Sequence, residues 1–182
     1  MGSNPILGTI RKEEVMNYIF LDIDGVMNNQ TDWLDKTKNN TERFENHRMF
    51  CDHAWSLLAL VCGVTDAQII LSSSWRSGFT QTDDGVIIRE DLNCPLTSRL
   101  MDYFERYDIP LVGLTTKQYF QRGKQIMDYV NNHFTINDNW VVLDDEVCDM
   151  ELIPQDKIIK TEWKTGLQYE HIERIIEYFK GE

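Results

Sequence analysis

Short apolar runs, each followed by polar residues, recur along the chain. The first, YIFLDI, is interrupted by a single aspartate, and AQIIL, IPLVGL and WVVL repeat the arrangement further on. Runs of this length without strict alternation are typical of strands that are buried on both faces of a parallel sheet. The pattern predicts strands at Ile19–Ile23, Ala67–Trp75, Ile109–Leu114, Trp140–Glu146 and Lys157–Thr161.

Segments with helical periodicity separate these runs. Between Met49 and Cys62 apolar residues return every three or four positions, and Gly63 stands where a helix C-cap glycine is common. Further helices are predicted at Thr97–Tyr107, Gly123–His133 and Gln168–Lys180. The segment from Gly78 to Pro95 instead has the composition of a small hairpin with an Asp-Gly turn. Strands that alternate with helices predict an α/β fold, a three-layer, Rossmann-like, doubly wound parallel sheet.

Composition supports a single folded domain. Hydrophobic residues make up 42% of the chain and charged residues 26%, which argues against a disordered protein. The sequence contains no apolar run of about 18 residues, the length that a membrane-spanning helix needs. Residues 1–15 are predicted to be an expression leader or a disordered arm, and residues 16–182 a single domain.

Charge and cysteine content restrict the possible binding partners and the cellular compartment of the protein. The net charge of −12 disfavours non-specific binding to nucleic acid or to an anionic membrane, although a local basic patch would overcome it. Cys51, Cys62, Cys94 and Cys148 lie far apart and form no C-x-x-C pair. We therefore expect reduced cysteines and a cytoplasmic protein.

Carboxylates stand at the ends of two predicted strands. Asp22 and Asp24 follow the first strand, Asp144 and Asp145 end the fourth, and strand carboxyl ends meet at the ligand-binding edge of such a sheet. Two unit charges about 4 Å apart repel by roughly 4 kcal/mol at an effective dielectric near 20, so the cluster requires a bound cation. Oxygen ligands alone favour Mg²⁺. An EF-hand is excluded, because VM occupies the loop positions that need Asp or Asn and then Gly.

Further polar residues follow the second strand and open the third predicted helix. Ser72 offers a hydroxyl and main-chain amides to an anion, with Ser73 as its competitor and a plain turn serine as the alternative. Arg76 is a candidate for binding a substrate oxygen, or an exposed loop arginine. The helix dipole disfavours a cation at Lys124, which suggests that this lysine neutralises a phosphoryl group. A solvated lysine is the alternative, and Arg122 is a substitute for the same task.

Together these residues form a set that suits phosphoryl transfer. Their order resembles that of the haloacid dehalogenase (HAD) superfamily of phosphatases, and the matching motifs are DIDGV at Asp22–Val26, IILSS at Ile69–Ser73, Lys124, and VVLDD at Val141–Asp145. The resemblance implies a Mg²⁺-dependent phosphatase that hydrolyses a phosphomonoester through an aspartyl-phosphate intermediate.

The resemblance also implies a role for each matching residue. Asp22 would be the nucleophile, and Asp24 would protonate the leaving oxygen and then activate water. Ser72 and Lys124 would hold the phosphoryl oxygens. The implied Mg²⁺ ligands are Asp22, the main-chain carbonyl of Asp24, and either Asp144 or Asp145.

The gaps between motifs leave no room for the full cap domain that many HAD proteins carry. The chain therefore resembles the capless branch, with the 28–48 loop and the Gly78–Pro95 hairpin as partial lids, and capless members tend to act on large substrates. SSSWR at Ser72–Arg76 and TEWKTGL at Thr161–Leu167 also resemble HAD domains associated with RNA-repair proteins. The expected partner is a phosphorylated substrate, small or macromolecular, with a nucleotide or a nucleic-acid end among the candidates.

Two other functions fit part of the pattern. A non-catalytic regulatory domain that binds phosphoryl groups or metal would retain the same fold and residues. A response-regulator receiver domain is also acidic and uses lysine and serine, but its phospho-accepting aspartate lies on a middle strand, whereas the D-x-D pair here follows the first. The receiver domain is therefore the weaker alternative.

Overall fold

The computed structural model describes residues 15–30, 50–83, 85, 87–90 and 95–181. The strands are β1 (Asn17–Leu21), β2 (Ala67–Leu71), β3 (Phe79–Gln81), β4 (Ile87–Arg89), β5 (Leu111–Leu114), β6 (Asn139–Asp144) and β7 (Ile158–Lys160). The α-helices are α1 (Asp52–Thr65), α2 (Pro95–Arg106), α3 (Arg122–His133) and α4 (Tyr169–Lys180). Short 3₁₀ helices span Ser74–Gly78 and Gln155–Lys157.

The central sheet is parallel and has the order β5-β2-β1-β6-β7. The chain runs outward from β1 through β2 to β5, and β6 and β7 then extend the sheet on the other side of β1. At the carboxyl ends, Leu21 of β1 lies opposite Leu71 of β2 and Leu143 of β6. The predicted doubly wound α/β fold is confirmed, and the point where strand order reverses lies beside β1.

Helices cover both faces of the sheet, which explains why the strands are apolar without alternation. Ile19 and Leu21 belong to a buried cluster with residues of α1, α2 and α4, including Ile172. Phe20, between them, faces the other way and packs with Ile126 of α3. Each of these side chains is fully buried. Because successive residues of a strand point to opposite faces, a strand covered on both sides must be apolar throughout.

Several predicted boundaries differ from the observed ones by a few residues, and two of the differences have clear local reasons. The first helix does not end at Gly63 but continues to Thr65, and Asp66 adopts the left-handed conformation (φ 53°) that closes it. Aspartate tolerates this conformation better than most residues, so no glycine is required. The second strand ends at Leu71 rather than Trp75, because the Ser73 hydroxyl accepts a hydrogen bond from the Trp75 amide and starts a 3₁₀ helix.

The two predicted lids have different outcomes. Strands β3 and β4 pair antiparallel within the Gly78–Pro95 segment, which confirms a hairpin there. Most of the predicted 28–48 loop lies outside the described residues, as does nearly all of the 1–15 arm. Within the described ranges, no helix combines the length and the apolar composition needed to cross a lipid bilayer.

Candidate active site

Three aspartates converge at the carboxyl edge of the sheet. Asp22 directly follows β1, and its amide donates to the Leu143 carbonyl of β6 at 3.0 Å, which places it beside Asp144 and Asp145. Asp22, Asp144 and Asp145 each offer a carboxylate oxygen, and these oxygens lie within 4.8 Å of one another. Asp144 is fully buried and Asp22 is 4% exposed. Three of the four strand-end aspartates that the sequence singles out therefore form one cluster, and Asp24 is not among them.

Gly25 makes room for this cluster. A Cβ at this position would lie 2.1 Å from Asp145 Oδ2, and the backbone has φ +74°, so any side chain would clash and be strained. Distant residues hold the same loop in place. The Thr161 hydroxyl donates to the Gly25 carbonyl at 2.9 Å, and the Leu167 amide donates to the Val26 carbonyl at 2.9 Å. The end of the D-x-D-G motif is thus fixed by residues that follow β7.

Burial and mutual repulsion make the ionised cluster unfavourable. Burial raises the pKa of Asp22, and Arg122 and a hydrogen bond from Ser73 oppose the rise without reversing it. Burial and the charge of Asp22 raise the pKa of Asp144 to about 7, and the same two causes raise the pKa of Asp145. Oxygen-only ligands whose negative charges Arg122 balances only in part match what Mg²⁺ requires. The residues present fit a Mg²⁺ site.

Arg122, the first residue of α3, contributes the cation that contacts this cluster. Its Nη1 lies 3.3 Å from Asp22 Oδ1 and contacts Asp144 Oδ2 directly. Burial alone would lower the pKa of Arg122, but the charges of Asp22 and Asp144 outweigh it and raise that pKa. Gly123 lets the start of α3 pack closely, since a Cβ there would lie 2.8 Å from the Asp149 carbonyl oxygen. The helix is therefore seated so that Arg122 faces the carboxylates.

Lys124, predicted to hold the phosphoryl group, is not placed to do so. It is exposed, and no hydrogen bond or ion pair joins it to another described residue. Residues two apart on a helix point to nearly opposite sides, so Arg122 and Lys124 cannot both face the cluster. Of the two cations that the sequence offers for this task, Arg122 is the one that contacts the carboxylates.

Asp24 has a separate environment. Its Oδ2 accepts a hydrogen bond from the Trp75 indole at 2.9 Å, and its Oδ1 accepts one from the Asn28 side-chain amide at 2.8 Å. Its carboxylate is not part of the three-aspartate cluster. Sequence reasoning did not identify Asn28 as a functional residue, although its spacing of four residues from Asp24 within one loop is the signal. The predicted Asp24 carbonyl ligand stays a prediction.

The two candidate serines differ in their contacts. Ser72 and Ser73 are both fully buried at the end of β2. The Ser73 hydroxyl lies close enough to Asp22 to oppose the rise in the pKa of that carboxyl. The Ser72 hydroxyl has no hydrogen-bond partner among the described residues, and its donor is therefore unused. Ser73 is the serine in contact with the cluster, and Ser72 keeps a free hydroxyl beside it.

Arg76 is engaged inside the protein rather than presented to a substrate. It is 8% exposed, and its Nη1 donates to the carbonyls of Ser72 at 2.9 Å and Ser73 at 2.6 Å. Its Nη2 donates to Gln125 Oε1 at 2.8 Å and to the Thr116 carbonyl at 3.3 Å. The substrate-binding role of Arg76 stays a prediction, and the contacts that the structure shows for it are all within the protein. The 3₁₀ helix directs the side chain back under the serine loop, where it fixes the main chain.

Comparison with known proteins gives one positive finding. Residues 18–172 match the family described as the HAD domain in Swiss Army Knife RNA repair proteins. No curated protein and no solved structure matches the chain. The match includes β1, the carboxylate cluster, Arg122 and the loop that holds Gly25, and it covers most of the 182 residues. The chain therefore belongs to the HAD domains of Swiss Army Knife RNA repair proteins, within the HAD-like superfamily.

Proposed function

We propose that the chain is a Mg²⁺-dependent phosphatase that hydrolyses a phosphomonoester through an aspartyl-phosphate on Asp22. The observation that carries this proposal is the convergence of Asp22, Asp144 and Asp145 within 4.8 Å, at the sheet edge where a doubly wound fold binds ligands. Asp24 lies two residues beyond the nucleophile in the same loop. A buried carboxylate beside a cation site is the arrangement that nucleophilic attack on phosphorus requires.

The first step forms one bond and breaks another. An oxygen of Asp22 attacks phosphorus, the bond to the leaving oxygen breaks, and protonated Asp24 gives its proton to that oxygen. Asp22, Asp144 and Asp145 would hold Mg²⁺, which when bound supplies positive charge beside the phosphoryl oxygens. The Arg122 guanidinium offers a second positive charge, and the Ser73 hydroxyl and the Ser72 donor lie at the same strand end.

The second step returns the enzyme to its starting state. A water molecule gives a proton to the Asp24 carboxylate and attacks phosphorus, and the Asp22–phosphorus bond breaks to release phosphate. The hydrogen bonds from Trp75 and Asn28 hold both oxygens of Asp24, so this residue keeps a fixed orientation. A fixed carboxylate is suited to transfer a proton in both steps.

The family description supports a phosphate at a nucleotide or nucleic-acid end as the substrate. The capless site that the sequence predicts, which a macromolecular end could reach, is consistent with that choice. We also propose that the protein is cytoplasmic. Cys62 and Cys148 carry free thiols, and burial raises the pKa of Cys62 to about 12, which leaves that thiol unreactive.

One observation favours a second function, a regulatory domain that binds phosphoryl groups or metal without turnover. Arg122 contacts both Asp22 and Asp144 directly, so a guanidinium already offsets part of the charge that a metal would balance. A site that neutralises itself in this way has less need for a metal. The two functions differ in whether phosphate is released.

A substrate panel separates them. The wild-type protein is incubated with p-nitrophenyl phosphate, nucleoside monophosphates and oligonucleotides phosphorylated at the 5′ or 3′ end, with and without Mg²⁺. We expect Mg²⁺-dependent phosphate release that Asp22→Asn abolishes, while Asp156→Asn, an exposed control, retains it. Acid quenching during turnover should trap a protein-bound phosphate that hydroxylamine removes. No release from any substrate contradicts the phosphatase and favours the regulator.

A further inference from the structure

A groove lies next to the carboxylate cluster. It has a volume of about 330 Å³ and runs between the 3₁₀ helix Ser74–Gly78 and the segment that precedes α3. Lys117, Phe120 and Arg122 line it on one side, and the Ser74 and Ser77 side chains line it on the other. Since Arg122 also lies 3.3 Å from Asp22, the groove and the reaction centre share a side chain. A substrate bound at Asp22 would extend directly into this groove.

The groove concentrates positive charge on an acidic protein. Lys117 and Arg122 both line it, whereas the chain as a whole has a net charge of −12. Asp149 also lines the groove, but its Oδ2 accepts the Arg122 amide at 2.7 Å and thereby caps α3. The Lys117 ammonium lies 3.3 Å from Glu90 in an exposed ion pair, which is weak in water, and it makes long hydrogen bonds to the carbonyls of Ser77 at 3.4 Å and Phe79 at 3.3 Å. An anionic ligand can therefore compete for Lys117.

Phe120 presents its ring to solvent within this groove. The side chain is completely exposed, at 105% of its reference area. A single exposed apolar residue is common on protein surfaces, but this one stands among cations and hydroxyls. An aromatic ring beside positive charge is the combination that binds a nucleobase and its phosphate backbone.

Hydrogen bonds of Arg76 and Gln125 join the two walls of the groove. Arg76 holds the serine loop through the Ser72 and Ser73 carbonyls, and it also donates to Gln125 on α3. Gln125 in turn donates from its Nε2 to the Tyr119 carbonyl, directly before Phe120. These contacts join the two walls before a ligand arrives. Binding therefore has to order little of the main chain, which lowers its entropic cost.

We propose that this groove binds the nucleotide that bears the scissile phosphate, with its base stacked on Phe120 and its next phosphate between Lys117 and Arg122. The proposal rests on the phosphatase function proposed above and specifies its substrate as a single-stranded polynucleotide end. Only an unpaired base can stack on a side chain, which disfavours duplex ends. A phosphopeptide offers no such ring beside a second phosphate.

The test measures binding apart from turnover. Asp22→Asn protein is titrated against a single-stranded oligonucleotide with a terminal phosphate and a fluorescent label at the far end. In this background Phe120→Ala should raise the Kd about 5-fold to 100-fold, the range for loss of one base stack. Lys117→Gln should reduce the slope of log Kd against log salt by roughly 0.7. Exposed Ile136→Ala and Lys180→Gln serve as matched controls and should bind like the parent.

A turnover assay completes the test. In the active protein, Phe120→Ala should lower the ratio of kcat/KM for the oligonucleotide to kcat/KM for p-nitrophenyl phosphate by a similar factor. If Phe120→Ala and Lys117→Gln bind the oligonucleotide as the controls do, the groove proposal is overturned. It is also overturned if both variants weaken a phosphopeptide as much as the oligonucleotide. If the expected binding losses appear but wild-type protein releases no phosphate, the groove stands and the phosphatase function fails.

Discussion

Aspartates have different roles at the two edges of the central sheet. At the amino edge a cavity of about 910 Å³ is lined in part by Asp66 and Asp108, and both have left-handed backbones, with φ 53° and 52°. These residues reverse the chain after α1 and α2. At the carboxyl edge the cavity is smaller, about 330 Å³, yet Asp22 and its neighbours point their carboxylates at one spot. The size of a cavity is therefore a poorer guide to function than the convergence of charges around it.

Among the substitutions that test this comparison, replacement of Arg122 should have the largest effect on turnover. Arg122→Gln removes the guanidinium that contacts Asp22 and Asp144, and we expect turnover to fall about 10²-fold to 10³-fold, as when a charge-stabilising donor is lost. Lys124→Gln on the same helix should leave turnover near the wild-type value. Steady-state kinetics with p-nitrophenyl phosphate measures both. Thermal unfolding of Arg122→Gln separates a catalytic defect from a folding defect. A larger loss for Lys124→Gln would contradict the placement of these cations.

Substitution of one glycine at each edge of the sheet tests the comparison further. Gly25→Ala puts a methyl group 2.1 Å from Asp145 Oδ2 and should lower Mg²⁺-dependent turnover about 10²-fold, because a displacement of about 1 Å at a reaction centre costs that much. Gly63→Ala, within α1 beside the amino-edge cavity, meets no atom within 4 Å. It should raise the free energy of unfolding by about 0.5–1 kcal/mol with turnover unchanged. Equal effects of the two substitutions on turnover would refute the distinction.

Trp75→Phe should have a smaller effect that depends on the leaving group. The substitution removes the indole donor to Asp24 Oδ2 but keeps an aromatic ring, so the acid loses its fixed orientation. For an alkyl phosphate, whose leaving oxygen needs a proton, we expect a loss of roughly 10-fold to 100-fold. The loss with p-nitrophenyl phosphate should be less, because its leaving group departs without protonation. Trp163→Phe, half exposed, is the control, and equal losses with both substrates would exclude a positioning role for Trp75.

The smallest predicted effect is on stability. The pKa of Asp144 is raised to about 7, against about 3.9 in unfolded chains, so the folded protein holds a proton that the unfolded chain releases. Stability of the metal-free protein should therefore fall as pH rises from about 4 to about 7. Mg²⁺ needs ionised carboxylates, so Mg²⁺ near 100 times its Kd should raise Tm by roughly 5–10 °C at about pH 7.5 and much less at about pH 5. Differential scanning fluorimetry measures this gain, and an equal gain at both pH values would contradict a carboxylate metal site.

The fold and the carboxylate cluster were predictable because both depend on local patterns and a general rule. Non-alternating apolar runs identified the strands, and the shared carboxyl edge of a parallel sheet brought Asp22 and Asp144 together. The choice between Arg122 and Lys124 was not predictable. It depends on the rotation of α3 about its axis, which the packing of Gly123 against the Asp149 carbonyl determines.

Other parts of the site depend on contacts between distant residues. Trp75 and Asp24 are 51 positions apart, and no local signal links an indole to that carboxylate. Arg76 looked like a substrate ligand because it follows the serines. Its contacts with the Ser72 and Ser73 carbonyls depend on the 3₁₀ helix, which turns the guanidinium back toward them and which no local pattern predicted.

The hydrogen bond from Thr161 to the Gly25 carbonyl has a consequence for biosynthesis. The two residues are 136 positions apart, so the loop next to the nucleophile leaves the ribosome long before its support exists. At about 5–20 residues per second this interval lasts roughly 7–27 seconds. During that time a nascent chain carries its aspartates without the geometry that makes them reactive. The proposed turnover thus becomes possible only after Thr161 has been synthesised and packed against the Gly25 loop, as a property of the assembled tertiary structure.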